Sequence, residues 1–233
     1  MSTGEAPGRV ALITGANRGL GRAVAAELHA RGVQIIVTAR KESDATAAAA
    51  EIGPDVRAHE LDVTDAASVE AAAAALGDVD IVVSNAGALF DRGDDPLQVP
   101  IDLVERTLAV NVLGAWRVGQ AFLPGMVSRG WGRLVFVSSG TGSFHHGLFT
   151  GSPAYSLSKA ALNGVTCLLA QAVADSGVLV NAVNPGITKT RMMPHAQRDP
   201  AEAAVGIANV ATLADDGPTG AFLRGGDGAR IDW

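Results

Sequence analysis

Short apolar runs rich in β-branched residues alternate with helix-forming segments along this sequence, and the alternation restricts the possible folds more than any other feature. The first run, residues 9–14 (RVALIT), is followed by a glycine-containing turn, a helical segment at 22–32 and a second run at 33–40. A strand, a turn, a helix and a strand in this order make a right-handed βαβ unit. The pattern predicts a parallel sheet with helices on both faces.

The same alternation continues to the end of the chain. Further helices are predicted over residues 43–52, 66–76, 101–129 and 153–175, and further strands over 56–63, 78–87, 132–140, 177–186 and 221–226. No internal repeat and no linker divides the sequence. We therefore predict one domain over residues 1–233, with an α/β fold and a doubly wound, seven-stranded parallel sheet.

Charge and composition argue against several classes of partner. The net charge is −6 and the basic residues are scattered, which speaks against a nucleic-acid surface and against an anionic membrane. The single cysteine, Cys167, cannot form an internal disulfide, which suits a reducing compartment. Residues 1–9 are polar and resemble neither a signal peptide nor an anchor. We expect a cytoplasmic protein that binds neither nucleic acid nor membrane.

The turn after the first apolar run has the features of a phosphate-binding loop. It reads Gly-Ala-Asn-Arg-Gly-Leu-Gly over residues 15–21, between a predicted buried strand and a helix. Glycines let the backbone approach a phosphate closely, and the free N–H groups of the helix N-terminus then bind it. The spacing Gly-x-x-x-Gly-x-Gly differs from the G-x-G-x-x-G of the better-known dinucleotide-binding folds. A nucleotide site is nevertheless predicted here.

Tyr155 and Lys159 lie near the start of the predicted helix at 153–175. Residues four apart share one face of a helix, so the phenol and the ammonium group should project side by side. A nearby positive charge favours phenolate and lowers the pKa of a tyrosine towards the working pH. The pair could therefore give and take a proton. Because Tyr-x-x-x-Lys also occurs on ordinary surface helices, its meaning depends on the rest of the chain.

Seven motifs, in order, resemble those of the short-chain dehydrogenase/reductase family. They are TGANRGLG (14–21), LDVTD (61–65), SNAG (84–87), VNVLG (110–114), VFVSS (135–139), YSLSK (155–159) and NPGITKT (184–190). The resemblance implies a Rossmann-type sheet with a nicotinamide cofactor lying across the carboxyl ends of the strands, where open α/β sheets bind ligands.

The resemblance also implies which residues bind the cofactor. The pyrophosphate loop would consist of Gly15, Asn17, Arg18, Gly19, Leu20 and Gly21. The adenine would lie against Asp62 and Val63, the ribose and the approach to the nicotinamide against Asn85, Ala86 and Gly87, and the nicotinamide itself against Pro185, Gly186 and Thr188, with further contacts from Tyr155 and Lys159. Asn85 and Asn111 also admit a structural interpretation, in which they satisfy buried backbone groups.

Four residues match the catalytic set of the family: Asn111, Ser139, Tyr155 and Lys159. By this resemblance, Ser139 donates a hydrogen bond to the substrate carbonyl oxygen as hydride arrives, and Tyr155 supplies the proton. Lys159 lowers the pKa of Tyr155 and holds the nicotinamide ribose, while Asn111 keeps a water beside Lys159. Ser138 is the alternative serine, but strand alternation points it away from the face of Ser139.

Two features depart from the family pattern. Ser84 stands where the family usually has asparagine, at a position thought to steady the sheet. The interval from Ser139 to Tyr155 is 16 residues, a few more than usual, so the extra residues must bulge from the loop at 141–153.

Arg40 decides the predicted cofactor. It follows the second strand, where an acidic residue would accept hydrogen bonds from the ribose 2′-hydroxyl of NAD, and no carboxylate occurs before Glu42. Arg18 adds a second cation nearby. A guanidinium group pairs well with a phosphate but offers a hydroxyl no acceptor. We therefore predict NADP(H), the alternative being that Arg40 is a solvated surface charge.

The predicted substrate pocket is apolar. Its walls would come from Leu89 and Phe90, from the loop at 144–149, and from Met192 and Met193. Few residues separate Gly186 from the helical run near Pro200, so the site should be open and tolerant. His145 and His146 are adjacent in a loop without a third ligand in sight, and we expect them to be exposed, with no metal site.

The C-terminal segment at 217–233 resembles that of carbonyl reductases, which implies a small ketone, aldehyde or imine as substrate. A regulator that binds NADP without chemistry is the alternative, although such relatives commonly lose the tyrosine or the lysine. An epimerase or dehydratase would need a longer chain.

Apolar residues on several faces of the helices around 109–127 and 153–175 predict a homodimer or homotetramer. On the second helix these are Leu162, Val165, Leu168, Leu169 and Val173.

Overall fold

A computed structural model describes residues 8–233 of the protein. Residues 1–7, on which the expectation of no signal peptide and no anchor mostly rests, lie outside the described residues. Between residues 8 and 233, every helix is too short or too polar to cross a membrane.

Seven parallel strands form one sheet in the order β3-β2-β1-β4-β5-β6-β7. Their bounds are β1 (Val10–Ile13), β2 (Gln34–Ala39), β3 (Arg57–Glu60), β4 (Ile81–Ser84), β5 (Gly132–Val137), β6 (Val178–Asn184) and β7 (Phe222–Arg224). The predicted doubly wound, seven-stranded sheet is confirmed. The strand order reverses between β1 and β4, and such a reversal opens a crevice at the carboxyl ends of the strands.

Helices cover both faces of the sheet. They are α1 (Gly19–Ala30), α2 (Glu42–Ile52), α3 (Ala66–Leu76), α4 (Ile101–Leu108), α5 (Ala115–Arg129), α6 (Pro153–Ala172) and α7 (Pro200–Ala211). A π-helical segment, Ala109–Gly114, joins α4 to α5, so the helix predicted over 101–129 is continuous but locally widened. A short 3₁₀ turn, Gly140–Gly142, follows β5.

Alternate residues of each central strand enter two separate hydrophobic cores. In β1, Ala11 and Ile13 face the core formed with α1, α2 and α7, whereas Leu12 faces the core formed with α3, α5 and α6. All three side chains are fully buried. Burial on both faces explains why the strands read as continuous apolar runs.

The core also accounts for most of the apolar residues that predicted an oligomer. Leu162, Val165 and Leu169 of α6, and Val173 directly after it, are buried within the chain, at 9% exposure or less. Only Leu168, at 55%, is exposed. Four of the five residues therefore give no support to the predicted oligomer, because a helix against a parallel sheet already buries a wide stripe.

Several strands end earlier than predicted. β3 stops at Glu60, β4 at Ser84 and β5 at Val137, three residues before the predicted end in each case. Conversely, α1 begins at Gly19, so the end of the glycine turn already belongs to the helix. The residues between the strand ends and the following helices are free to form a site.

Candidate active site

The glycine turn after β1 is held beside the end of β4. The hydroxyl of Thr14 accepts hydrogen bonds from the backbone N–H groups of Asn85 (3.0 Å) and Ala86 (2.9 Å). Gly15 has φ +62°, and a Cβ there would lie 3.1 Å from Cα of Ala86. A side chain is therefore excluded at Gly15 by both conformation and space.

The N-terminus of α1 points its backbone donors into the crevice between β1 and β4. Arg18 is the N-cap residue, but its side chain makes no capping hydrogen bond, so the first N–H groups of the helix keep no side-chain acceptor. A Cβ on Gly21 would lie 2.7 Å from the carbonyl oxygen of Gly15, which explains this glycine. Asn17 and Leu20 are half-buried in the same turn. Free helical N–H groups at a strand switch point fit a pyrophosphate.

Asn85 serves the turn rather than the open crevice. Its side-chain Nδ2 donates to the carbonyl oxygens of Thr14 (2.9 Å) and Gly15 (3.2 Å). The Asn85 side chain therefore satisfies buried backbone carbonyl groups, as the structural interpretation has it. The backbone of Ala86 and Gly87 could still contact a ribose.

Arg18 and Arg40 are exposed, and neither makes a side-chain hydrogen bond or ion pair with any of residues 8–233. Arg40 directly follows β2, at the carboxyl edge of the sheet. The carboxylate of Glu60, at the neighbouring end of β3, accepts a hydrogen bond from the N–H of Glu42 (3.1 Å). Two guanidinium groups at this edge are therefore available to pair with an anion.

Asp62 and Val63 follow β3 at the same edge. Oδ1 of Asp62 accepts hydrogen bonds from the backbone N–H (2.9 Å) and the hydroxyl (2.7 Å) of Thr64. The N–H of Asp62 donates to the hydroxyl of Ser68. Val63 is buried. These bonds fix the turn in a place that an adenine could contact.

The π-helical segment places Asn111 against the loop that follows β4. Its Oδ1 accepts from the N–H of Ala88 (2.8 Å), and its Nδ2 donates to the carbonyl oxygen of Ala88 and to the hydroxyl of Ser158 (both 2.9 Å). A Cβ on Gly87 would lie 3.5 Å from this Oδ1 and 3.8 Å from Nζ of Lys159. Asn111 thus joins β4 to α6, and its side-chain amide is fully engaged in doing so.

Tyr155 and Lys159 share one face of α6, as predicted. Nζ of Lys159 lies 5.5 Å from the ring centroid of Tyr155 and donates to the carbonyl oxygen of Val137 (2.8 Å). Burial lowers the pKa of Lys159 to about 8. Burial also raises the pKa of Tyr155 to about 12, and interaction with the Ser139 hydroxyl acts in the opposite direction. The pKa of Tyr155 is therefore raised, not lowered as the sequence predicts, because desolvation outweighs the hydrogen bond with Ser139.

Strand alternation separates the two serines after β5. The hydroxyl of Ser138 is buried and donates to Oδ1 of Asn163 (2.7 Å), away from Tyr155. Oγ of Ser139 accepts from the N–H (3.3 Å) and the hydroxyl (3.0 Å) of Thr141 and is close enough to Tyr155 to affect its pKa. The choice of Ser139 over Ser138 therefore agrees with the geometry.

The long loop before α6 has supports that the sequence did not indicate. A Cβ on Gly142 would lie 2.6 Å from the backbone N of Ala160, so the loop lies directly on the helix. The N–H of His145 donates to the carbonyl oxygen of Trp233 (3.0 Å). The hydroxyl of Ser143 donates to the backbone carbonyl oxygen of Asp232 (2.8 Å). His145 and His146 are exposed. Within residues 8–233, no cluster of three His, Cys, Asp or Glu residues could hold a metal.

The segment after β6 closes over the glycine turn. The carbonyl oxygen of Pro185 accepts from the guanidinium of Arg198 (2.6 Å), and the hydroxyl of Thr188 donates to the carbonyl oxygen of Gly186 (3.1 Å). A Cβ on Gly19 would lie 3.7 Å from Cγ2 of Thr190, which places residues 185–190 across the N-terminus of α1.

The predicted apolar wall is partly fixed by Arg92, another residue that sequence reasoning missed. Its guanidinium contacts the carbonyl oxygen of Met192 and lies 3.0 Å from Sδ of Met193. Phe90 is 45% exposed and stacks with Arg106. An exposed cation in a loop of mixed charge gives no sequence signal for such a contact.

Three features of this site are typical of one class of protein: the strand switch point, the uncapped N-terminus of α1, and the set of a serine, a tyrosine and a lysine. The chain belongs to the short-chain dehydrogenase/reductase family of oxidoreductases, and the family model described as short chain dehydrogenase matches residues 9–201. This confirms the predicted family.

Individual relatives are similar over most of their length. The chain is 35% identical over 189 residues to 3-oxoacyl-[acyl-carrier-protein] reductase FabG of Escherichia coli, covering 79% of this chain and 75% of the relative. It is 37% identical over 203 residues to oxidoreductase UcpA of Salmonella typhimurium, covering 81% and 73%. A solved structure of a short chain dehydrogenase/reductase family protein superimposes with a TM-score of 0.86 at 30% identity, covering 95% and 98%.

Proposed function

We propose that the protein is an NADP(H)-dependent oxidoreductase that reduces the C=O group of a small ketone or aldehyde, or the C=N group of an imine. The observation that carries the proposal is the convergence of Ser139, Tyr155 and Lys159 beside Gly87 at the carboxyl edge of the sheet. A relative whose name describes reduction of a 3-oxoacyl group supports the choice of a carbonyl substrate.

In the proposed reaction the nicotinamide, when bound, supplies a hydride to the carbonyl carbon. The Ser139 hydroxyl donates a hydrogen bond to the carbonyl oxygen, where negative charge develops. Tyr155 transfers its phenolic proton to that oxygen, which completes the alcohol. A pKa raised by burial to about 12 keeps Tyr155 protonated before the transfer. Lys159, whose Nζ lies 5.5 Å from the ring centroid of Tyr155, would hold the ribose hydroxyls of the cofactor.

The preference for NADP(H) rests on Arg18 and Arg40. Both guanidinium groups are exposed at the edge where the adenosine ribose would lie, next to Asp62 and Val63. A 2′-phosphate there would receive charge-assisted hydrogen bonds. Two further roles belong to the proposal: the N-terminus of α1 would bind the pyrophosphate, and residues 185–188 would contact the nicotinamide.

The test is to replace Tyr155 by Phe, which removes one oxygen and leaves the ring. NADPH should still bind, because the glycine turn, Arg40 and Lys159 remain. Turnover on the best substrate from a carbonyl and imine panel should fall about 10²–10⁴-fold, the usual contribution of general acid catalysis. NADPH affinity is measured by fluorescence and turnover by NADPH consumption.

Ser139→Ala should cost a comparable factor, and Ser138→Ala is its matched control. Ser138 donates to Asn163, so its removal should lower stability by about 1 kcal/mol without a large loss of turnover. Because Ser139 and Tyr155 act on one oxygen, the double variant should lose less than the product of the single losses. Near-normal turnover in Tyr155→Phe would refute the mechanism, and NADPH binding without any turnover in the wild type would favour a regulator.

A further inference from the structure

The first turn of α6 is held by a carboxylate from a distant part of the chain. Asp91, in the loop between β4 and α4, is fully buried. Its Oδ2 accepts hydrogen bonds from the backbone N–H groups of Ala154 (2.6 Å) and Tyr155 (3.2 Å). The N-cap residue of the helix, Ser152, makes no side-chain cap, since its hydroxyl donates to the carbonyl oxygen of Gly151. The Asp91 carboxylate therefore caps α6 in place of the Ser152 side chain.

A cap alone does not explain an acid at this position. Oδ1 of Asp91 is buried and has no hydrogen-bond partner within residues 8–233. None of the ion pairs in that part of the chain includes Asp91. Serine or asparagine would cap a helix about as well as aspartate. What aspartate adds is a negative charge, buried directly beside the backbone of Tyr155.

That charge bears on the phenol of Tyr155. α6 is 20 residues long, and its N-terminus carries the positive end of the helix dipole, which favours a nearby anion. Tyr155 lies in this first turn, so an uncompensated N-terminus would stabilise tyrosinate. The Asp91 carboxylate offsets the dipole and disfavours a second negative charge nearby.

Few other charges act on the phenol. Lys159 is the cation that faces it, with Nζ 5.5 Å from the ring centroid. The remaining charged side chains on the elements that pack against the start of α6 are exposed or engaged elsewhere: Arg92, Asp102, Glu105, Arg106, Arg117 and His145.

We propose that Asp91 is a positioning residue for Tyr155, which fixes the first turn of α6 and whose charge keeps the phenol protonated for donation to the substrate. The role of the proton rests on the proposed function, but the protonation of Tyr155 can be measured without it. Burial raises the pKa of this tyrosine and the Ser139 hydroxyl lowers it. The proposed effect of the Asp91 carboxylate has the same direction as that of burial.

Tyr155 is the only tyrosine in the chain, so the near-ultraviolet absorbance of tyrosinate reports on this residue alone. Asp91→Asn keeps an acceptor and removes the charge. We expect its tyrosinate transition to move down by about 0.5–1 pH unit relative to the wild type. Asp102→Asn, which removes an exposed charge from α4, should leave the transition unchanged, and Tyr155→Phe gives the blank. If Asp91→Asn does not fold, Asp91→Ser tests the same change.

Circular dichroism follows folding through the titration, and the pH profile of NADPH-dependent reduction gives a second measurement. The alkaline limb of kcat should move down in Asp91→Asn, because reduction needs a protonated phenol, while the KM for NADPH stays unchanged. The proposal would be overturned if Asp91→Asn folds with a lower Tm but keeps the tyrosinate transition and the alkaline limb of kcat of the wild type. Asp91 would then be a structural cap only. A wild type that reduces no carbonyl would contradict the proposed function instead, and the titration would still decide the role of Asp91.

Discussion

Lys159 is an ammonium group with almost no access to water. It is 4% exposed, and its one hydrogen bond within residues 8–233 goes to the carbonyl oxygen of Val137. Burial lowers its pKa from 10.5 to about 8. The unfolded chain therefore binds more protons than the folded protein between these two pH values, so stability rises with pH across that window. Below it, the buried charge destabilises the fold by its full amount.

Replacing Lys159 with Met should consequently stabilise the protein while abolishing its activity. After allowance for the lost hydrogen bond, we expect the free energy of unfolding to rise by about 2 kcal/mol near neutral pH. The gain should shrink as pH approaches 10.5, where the lysine of the unfolded chain also loses its proton. Urea unfolding without cofactor at both pH values measures it. A Met variant less stable than the wild type at neutral pH would contradict this account.

Arg40 carries the prediction of cofactor preference. Arg40→Asp should raise the KM for NADPH about ten- to hundredfold, because a carboxylate would face the 2′-phosphate, and should improve use of NADH. Arg57→Asp changes the charge equally at the opposite end of the neighbouring strand β3 and should leave both constants near wild type. Steady-state kinetics with the two cofactors decides the matter. A wild type that already prefers NADH in kcat/KM would show the interpretation of Arg40 to be wrong.

At the scale of elements, Gly142 fixes the distance between the loop after β5 and the face of α6 that carries Lys159. A Cβ there would lie 2.6 Å from the backbone N of Ala160 and 2.7 Å from Cβ of Lys159. Gly142→Ala should therefore push the loop and helix apart, costing about 1–3 kcal/mol of stability and reducing turnover. Thermal unfolding and NADPH consumption measure the two effects.

Gly164 on the same helix supplies the control, because a Cβ there would meet no atom within 4 Å. Gly164→Ala should stabilise the protein by about 0.4–1 kcal/mol through helix propensity, with unchanged turnover. Equal behaviour of the two alanine variants would mean that the contact of Gly142 with α6 carries no constraint.

The sequence predicted the elements well because their signals are local. Apolar runs marked six of the seven strands, whereas the mixed segment at 56–63 marked β3, and the glycine turn at 15–21 marked the start of α1. Strand ends were predicted less well, since the length of a ladder depends on a neighbour that is remote in sequence. The cap on α6 joins Asp91 to Ala154 across 63 positions, and no pattern near either residue indicates it. The desolvation of Tyr155 likewise comes from tertiary packing, which cannot be predicted from the spacing of residues along one helix.

For the molecule as a whole, we still expect a homodimer or larger assembly. Leu157 and Leu168 on α6 and Leu113 on the π-helical segment are 45–55% exposed on one side of the sheet. Light scattering of the wild type should give about twice the 23.7 kDa mass of one chain, or a higher multiple. Leu168→Lys should weaken the assembly through this face, whereas Val205→Lys on α7 should leave this interface intact. A mass of one chain at micromolar concentration would refute the expectation.

The strand order has a consequence for how the protein is made. β1 lies between β2 and β4, yet β4 begins about 70 residues after β1 in the chain. Once β1, β2 and β3 have emerged during synthesis, β1 is an unpaired edge whose residues Ala11, Leu12 and Ile13 are all apolar. Such edges template aggregation until they are paired. The crevice of the finished protein thus lies at the end of a strand edge that stays exposed until β4 has been synthesised. We expect slow docking of β4 to lower the yield of soluble protein.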